Sequence, residues 1–180
     1  MNVKIELLST KHIDELLTFE KENRLFFESS IPGRKESYYS KENLVHIVKE
    51  IEEEQDAGLC YMYLIRNKKG ELVGRVNLFS IVRGIFEKAE LGFRIAEKHN
   101  GKGYATQAVK LVLNEAFNNY NLHRVEAGTS PNNIGSQIVL IKNGFEFIGR
   151  AHDVIKVNGK WEDGVLFECL NKVKDYLEKQ

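Results

Sequence analysis

The sequence predicts an α/β domain of the α+β kind, in which a mixed, mostly antiparallel central sheet is flanked by helices. Three observations predict it. From Ala89 an alternating strand, a glycine-bearing loop and a proline-free amphipathic helix lead into a further strand at Val125–Thr129, and strands joined through a helix run parallel. The runs Tyr61–Arg66 and Val73–Ser80 meet at the turn Asn67-Lys68-Lys69-Gly70, while two late runs meet at Asn158-Gly159; both connections are short and therefore antiparallel. Finally, 180 residues without a visible linker suit one domain spanning 1–180, long enough to bury a core.

Each element has its own local reason. Val3 to Leu7 alternates apolar and charged residues and reads as a first strand. Thr10 is a plausible N-cap for a helix whose Ile13, Leu16 and Leu17 form one apolar face. Ser40 caps a clearer helix, with Leu44, Ile47, Val48 and Ile51 at the spacing of a buried stripe. Between them, Arg24 to Tyr39 has no clean period but holds Pro32-Gly33, three basic residues and four aromatics. It reads either as a working loop or as an irregular connection with its rings tucked onto the core. The helix Tyr104 to about Asn118 buries Ala105, Ala108, Val109, Val112 and Ala116, and a short helix Ser136–Lys142 ends at Asn143-Gly144.

Composition excludes several functions. Twenty-six basic and twenty-six acidic residues cancel, which argues against nucleic acid or a membrane surface as partner. Cys60 and Cys169 lie far apart among apolar neighbours and read as buried thiols, which fits a reducing cytoplasm. The N-terminal MNVKIELL does not read as a signal peptide, and no apolar run reaches the roughly eighteen residues of a membrane span. His12, His46, His99, His123 and His152 form no HExxH or Cys/His cluster, so no metal site is expected.

The chemistry-bearing segment is Lys98-His99-Asn100-Gly101-Lys102-Gly103-Tyr104-Ala105-Thr106. A glycine loop feeding a helix favours a phosphate, because first-turn amides lack partners and the dipole adds roughly half a positive charge. It is neither a nucleotide P-loop nor a dinucleotide loop, since GK[ST] and G-x-G-x-x-G are both missing. It fits the Q/R-x-x-G-x-G/A signature of the GNAT superfamily of N-acetyltransferases, with Lys98 in place of Gln or Arg. The stretches Asn121–Arg150 and Asn158–Leu170, together with ENRLFFESSIPGRKESYY from Glu22 to Tyr39, are similar to its RimJ/RimL-type subgroup of ribosomal-protein-alanine N-acetyltransferases.

This resemblance implies a sheet whose Glu90 and Val125 strands splay apart, so that the pantetheine arm of acetyl-CoA lies between them as an extra strand. It implies cofactor contacts from Phe93, Arg94 and Ile95, from Lys98, His99, Asn100, Gly101, Lys102, Gly103, Tyr104, Ala105 and Thr106, and from Asn133 and Ser136. Gly92 is the expected point of strand distortion. Glu90 is the implied general base, or else a surface carboxylate paired with a Lys or Arg across the sheet. The tyrosine that protonates the leaving thiolate in many members corresponds here to Leu140, so Ser136 is the nearest hydroxyl by motif. Asn133 binds the pantetheine amide or caps the following helix. Trp161, Glu162 and Asp163 match the subgroup but read only as packing and hairpin-closing residues.

The Arg24–Tyr39 region is implied to wall the acceptor cleft, with Arg24, Arg34, Lys35 and Tyr38 as candidate substrate contacts. The basic ones either bind an acidic acceptor or are solvated. The acceptor is expected to be a primary amine, foremost a protein N-terminal α-amine of the ribosomal kind. Alternatives are a small-molecule amine such as an antibiotic or polyamine, or a CoA-binding module without turnover. A monomer or homodimer is expected.

Overall fold

The computed structural model describes residues 2–172, whose strands form one seven-stranded sheet in the order β1-β2-β3-β4-β5-β7-β6. Its strands are β1 (Val3–Leu7), β2 (Tyr61–Asn67), β3 (Leu72–Val82), β4 (Lys88–Ile95), β5 (Arg124–Thr129), β6 (Glu146–Val157) and β7 (Lys160–Leu170). All neighbours pair antiparallel except β4 and β5, which are parallel because helix α4 (Tyr104–Asn114) joins them. The mixed sheet expected from the sequence is therefore present.

Strand alternation sorts side chains to two faces. On one, Tyr63, Ile65, Val76, Leu78, Leu91 and Val125 pack with Ala108, Val109 and Val112 of α4 and with Leu140 of α5 (Ile134–Lys142). On the other, Leu64 meets Leu16 of α1 (Ile13–Glu22) and Leu44 and Val48 of α3 (Lys41–Asp56). Ser40 caps α3 as expected, accepting from the Asn43 N–H at 3.2 Å. Asn158 and Gly159, at φ 48° and 82°, form the left-handed two-residue turn between β6 and β7.

Four local expectations need correction. Thr10 does not cap a helix: Thr10–His12 is a separate 3₁₀ turn, and the Thr10 N–H is taken by Glu52 Oε1 of α3 at 3.1 Å. Arg24–Tyr39 is less irregular than its lack of period suggested, opening with α2 (Arg24–Glu28) and closing with a 3₁₀ turn, Glu36–Tyr39. Burial of Phe27, Tyr38 and Tyr39 organises it, which periodicity alone does not reveal. The α4 hydrogen-bond ladder widens to a π turn over Glu115–Asn119 rather than running on to Asn118 unchanged. Gly92 does not mark the strand distortion, for Asn77↔Gly92 is an even rung and the β3–β4 irregularity lies between Phe79 and Val82. The glycine instead admits a close ring: a Cβ there would stand 3.2 Å from Phe79 Cε1.

Candidate active site

The β4–β5 pairing has only three rungs, Lys88↔Arg124, Ala89↔Val125 and Glu90↔Glu126. Beyond Glu90 the two strands part. Along β4 the Ala96 N–H still donates to Val73 C=O on β3 at 2.9 Å. N–H groups alternate in direction along a strand, so those of Phe93 and Ile95, beyond the last rung, face the gap that β5 has vacated. A buried N–H left unpaired costs about 1–3 kcal/mol, and this row of groups is shaped to receive an extended ligand backbone.

At the far end of the gap lies the glycine loop. Gly101 and Gly103 adopt φ 74° and 76°, the left-handed region in which glycine carries no Cβ penalty, and Gly103 is the N-cap of α4. The first α4 bond there runs from the Gln107 N–H to Gly103 C=O, so the Tyr104, Ala105 and Thr106 N–H groups have no helical acceptor. A Cβ added to Gly101 or Gly103 would meet nothing within 4 Å, which leaves the loop open to an approaching phosphate. Lys102 Nζ folds back 2.8 Å onto Lys98 C=O, placing a cation over the same loop, and Lys98 and Asn100 are exposed beside it. His99 packs edge-on to Tyr104; burial, then the Lys102 and Lys98 charges, lower its pKa and favour the neutral ring.

Asn133 precedes α5, and its Oδ1 accepts the Ser136 N–H at 3.0 Å. Its side-chain carbonyl is therefore a helix cap, with the exposed amide left to contact anything else. Ser136 is half-buried on the first turn, while Leu140 is only 1% exposed and belongs to the core. No acid can act from that position.

Glu90 is exposed at the fork itself, on the face turned away from α4. The rung it sits on continues as Glu126, Glu168 and Glu146 across β5, β7 and β6. Glu126 is held by Lys88 Nζ at 3.0 Å and Arg124 Nε at 2.7 Å, Glu168 by Arg124 Nη1 at 2.6 Å, and Glu146 by Lys172 Nζ at 3.1 Å. Burial opposes ionisation of Glu126, but Lys88 and Arg124 outweigh it and hold its carboxyl below the ordinary range. Glu90 alone on this rung has no cation partner among the described residues.

The acceptor-side residues expected from the sequence divide. Arg24 is committed to Glu28 at 3.0 Å and Glu36 at 2.7 Å, and Lys35 is exposed. Tyr38 is buried, with Arg34 Cζ lying 4.0 Å over its ring. Arg94 does not join the cofactor residues through its side chain, because strand alternation turns it to the other face, where Nη1 lies 3.3 Å from Glu20 Oε2. Sequence reasoning missed Glu20 and its nearer partner Arg75, whose Nη1 is 2.6 Å from Glu20 Oε1. A signal existed: Glu20 falls seven residues after Ile13 and four after Leu16, an acid on the apolar stripe of α1.

A parallel strand pair that parts beside an open helix N-terminus leaves room for an extended, phosphate-bearing ligand across the sheet. The chain belongs to the GNAT acetyltransferase family, residues 3–146 matching its Acetyltransferase (GNAT) domain. It is 38% identical over 170 residues to the probable N-acetyltransferase YjcK of Bacillus subtilis (strain 168), with 94% of each chain covered. It is 29% identical over 163 residues to the ribosomal protein uS5-alanine N-acetyltransferase of Escherichia coli (strain K12), covering 90% of this chain and 84% of that one. The ribosomal-protein-S5-alanine acetyltransferase of Vibrio fischeri shares the fold at a TM-score of 0.91 and 24% identity, over 96% of this chain and 94% of that one. The chain is an N-acetyltransferase, and acetyl-CoA is its co-substrate. Among the described residues no helix is long and apolar enough to cross a membrane.

Proposed function

We propose that the protein acetylates the N-terminal α-amine of a protein substrate, of the kind its ribosomal-protein-alanine relatives are named for, with Glu90 as general base. The observation that carries this reading is the position of Glu90, an exposed carboxylate without a cation partner among the described residues at the last rung before β4 and β5 part. Acetyl-CoA supplies an acyl group activated as a thioester. The Gly101–Thr106 amides and the Lys102 cation would hold its phosphates, and the Phe93 and Ile95 backbone would hold its pantetheine arm.

The chain's own groups do the rest. An α-amine titrates near about 7.7–8.0, so on the order of a tenth is already neutral at pH 7, and Glu90 need remove only one proton as the amine attacks. The Phe93 N–H, which faces the gap, would donate to the acyl oxygen. A thiol of pKa about 8.5 leaves tolerably without an acid, which suits a chain with leucine at position 140. Ser136 is assigned to cofactor contact rather than proton donation. We assign the chain to the cytoplasm, where free cysteines and acetyl-CoA both occur.

The test is acetyl transfer to peptides beginning with alanine or serine, with the modified atom located by fragmentation mass spectrometry. Acetylation confined to the α-amine is expected; acetylation of lysine side chains or of a polyamine in its place would replace the acceptor assigned here. Glu90→Gln keeps the shape and removes the base. It should lower kcat/KM about 100-fold at pH 6.5, with the deficit narrowing as the amine deprotonates unaided. Wild-type rates across the pH series would return Glu90 to the role of a surface charge.

A further inference from the structure

Two charge clusters flank the Arg24–Tyr39 segment, and they are balanced oppositely. In the outer one a single cation, Arg24, meets two carboxylates, Glu28 and Glu36, and Tyr39 Oη donates a further bond to Glu28 at 3.2 Å. In the inner one a single carboxylate meets three cations. Glu20, 1% exposed, binds Arg75 at 2.6 Å and Arg94 at the longer 3.3 Å, and Arg34 lies close enough to act electrostatically on both Glu20 and Arg94.

The excess charge is not neutralised from elsewhere among the described residues. Arg34 is half-buried against the Tyr38 ring and makes no ion pair there. Arg75 is buried, yet its Nε has no acceptor, and its remaining Nη1 contact is Tyr38 Oη at 3.4 Å. Arg94 lies under Phe27, with Cζ 5.0 Å from the ring, and retains 21% of its side-chain exposure. Burial, followed by the Arg75 and Arg34 charges, pulls its pKa down against the attraction of Glu20. Two uncompensated positive charges in a partly dry site attract an anion strongly, since desolvated cations lacking a partner are expensive.

Position says which anion. Arg94 and Glu90 lie on the same face of β4, four residues apart, which is about 13 Å of strand. An acceptor chain with its amine at Glu90 advances at most about 3.3–3.6 Å per residue, so its next few side chains come within reach of the long arginine side chains. We propose that Arg34 and Arg94 form an anion subsite of the acceptor cleft, selecting α-amines followed by an acidic residue within the first four positions of the chain. This inference rests on the N-terminal acceptor reading above.

The experiment uses two peptides identical but for Glu or Gln at position three, assayed with wild-type enzyme and with Arg34→Ala. Arg34 makes no ion pair among the described residues but covers the Tyr38 ring, so a thermal melt of the variant accompanies the assay to show that it remains folded. Wild-type enzyme should favour the Glu peptide at least about tenfold in KM with kcat nearly equal, and in Arg34→Ala the two peptides should fall within about twofold. Calorimetry of both peptides on CoA-saturated enzyme reads the subsite even if neither is turned over, which separates failure of this inference from failure of the acceptor assignment. Equal affinity for the two peptides on wild-type enzyme, or a preference that survives Arg34→Ala, would overturn the proposal.

Discussion

The two sides of β4 are made of different material. Along its edge, towards the vacated position of β5, the site consists of backbone: the Phe93 and Ile95 amides and the first turn of α4 behind two left-handed glycines. On the face under α1 and α2 it consists of side chains, Glu90 at the fork and the Glu20–Arg75–Arg94 cluster further along. Backbone groups present the same donors whatever the sequence, so the half proposed for the cofactor should tolerate substitution except where a side chain would intrude. The face under α1 depends on named charges and, on the proposed reading, is where acceptor preference can change without loss of the cofactor.

The largest effect expected from breaking this division is structural. Glu20→Gln leaves Arg75 and Arg94 buried without their counter-charge, and unmaking a buried pair in this way costs about 3–5 kcal/mol. Urea unfolding measures it. Burial alone would raise the Glu20 carboxyl, but Arg75 and Arg94 outweigh it and hold it below the ordinary value of 4.5. Its stabilising contribution is therefore fully present above that value and is lost as pH falls through the lower folded pKa. Wild-type stability should decline in that acid window by more than the variant's does.

On the backbone side, Gly103→Asp should weaken acetyl-CoA binding by more than about 100-fold, as the new carboxylate points charge and bulk into a phosphate cradle. The protein itself has room for the side chain, with nothing within 4 Å of the new Cβ, so the folding penalty is confined to a strained φ of 76°, roughly 1 kcal/mol. A folded Gly103→Asp protein that binds acetyl-CoA with unchanged affinity in calorimetry would remove the loop from the site.

The same division explains what could be read from the chain. The glycine loop, the helix after it and the Asn158-Gly159 hairpin were legible because each is fixed by residues adjacent in sequence. The fold class followed from the order of those elements, and the splay from the family resemblance. The Arg24–Tyr39 segment was not legible in detail, since its two short helical turns are set by Phe27, Tyr38 and Tyr39 docking on distant elements. The Glu20 cluster joins α1, β3 and β4 across 55 and 74 residues of sequence. Glu20 showed itself only as an acid on an apolar stripe, and Arg75 only as a charge inside an apolar strand. The family resemblance implies a cofactor contact at Arg94, but strand alternation sends its side chain to the other face.

Amide hydrogen exchange with and without saturating acetyl-CoA tests most directly whether the parted strand is the cofactor's seat. The Gly92 and Arg94 amides face β3 and should be protected in both states, whereas those of Phe93 and Ile95 face the gap and should gain at least about tenfold protection when acetyl-CoA is bound. Unchanged exchange at Phe93 and Ile95 in the saturated enzyme would contradict the account.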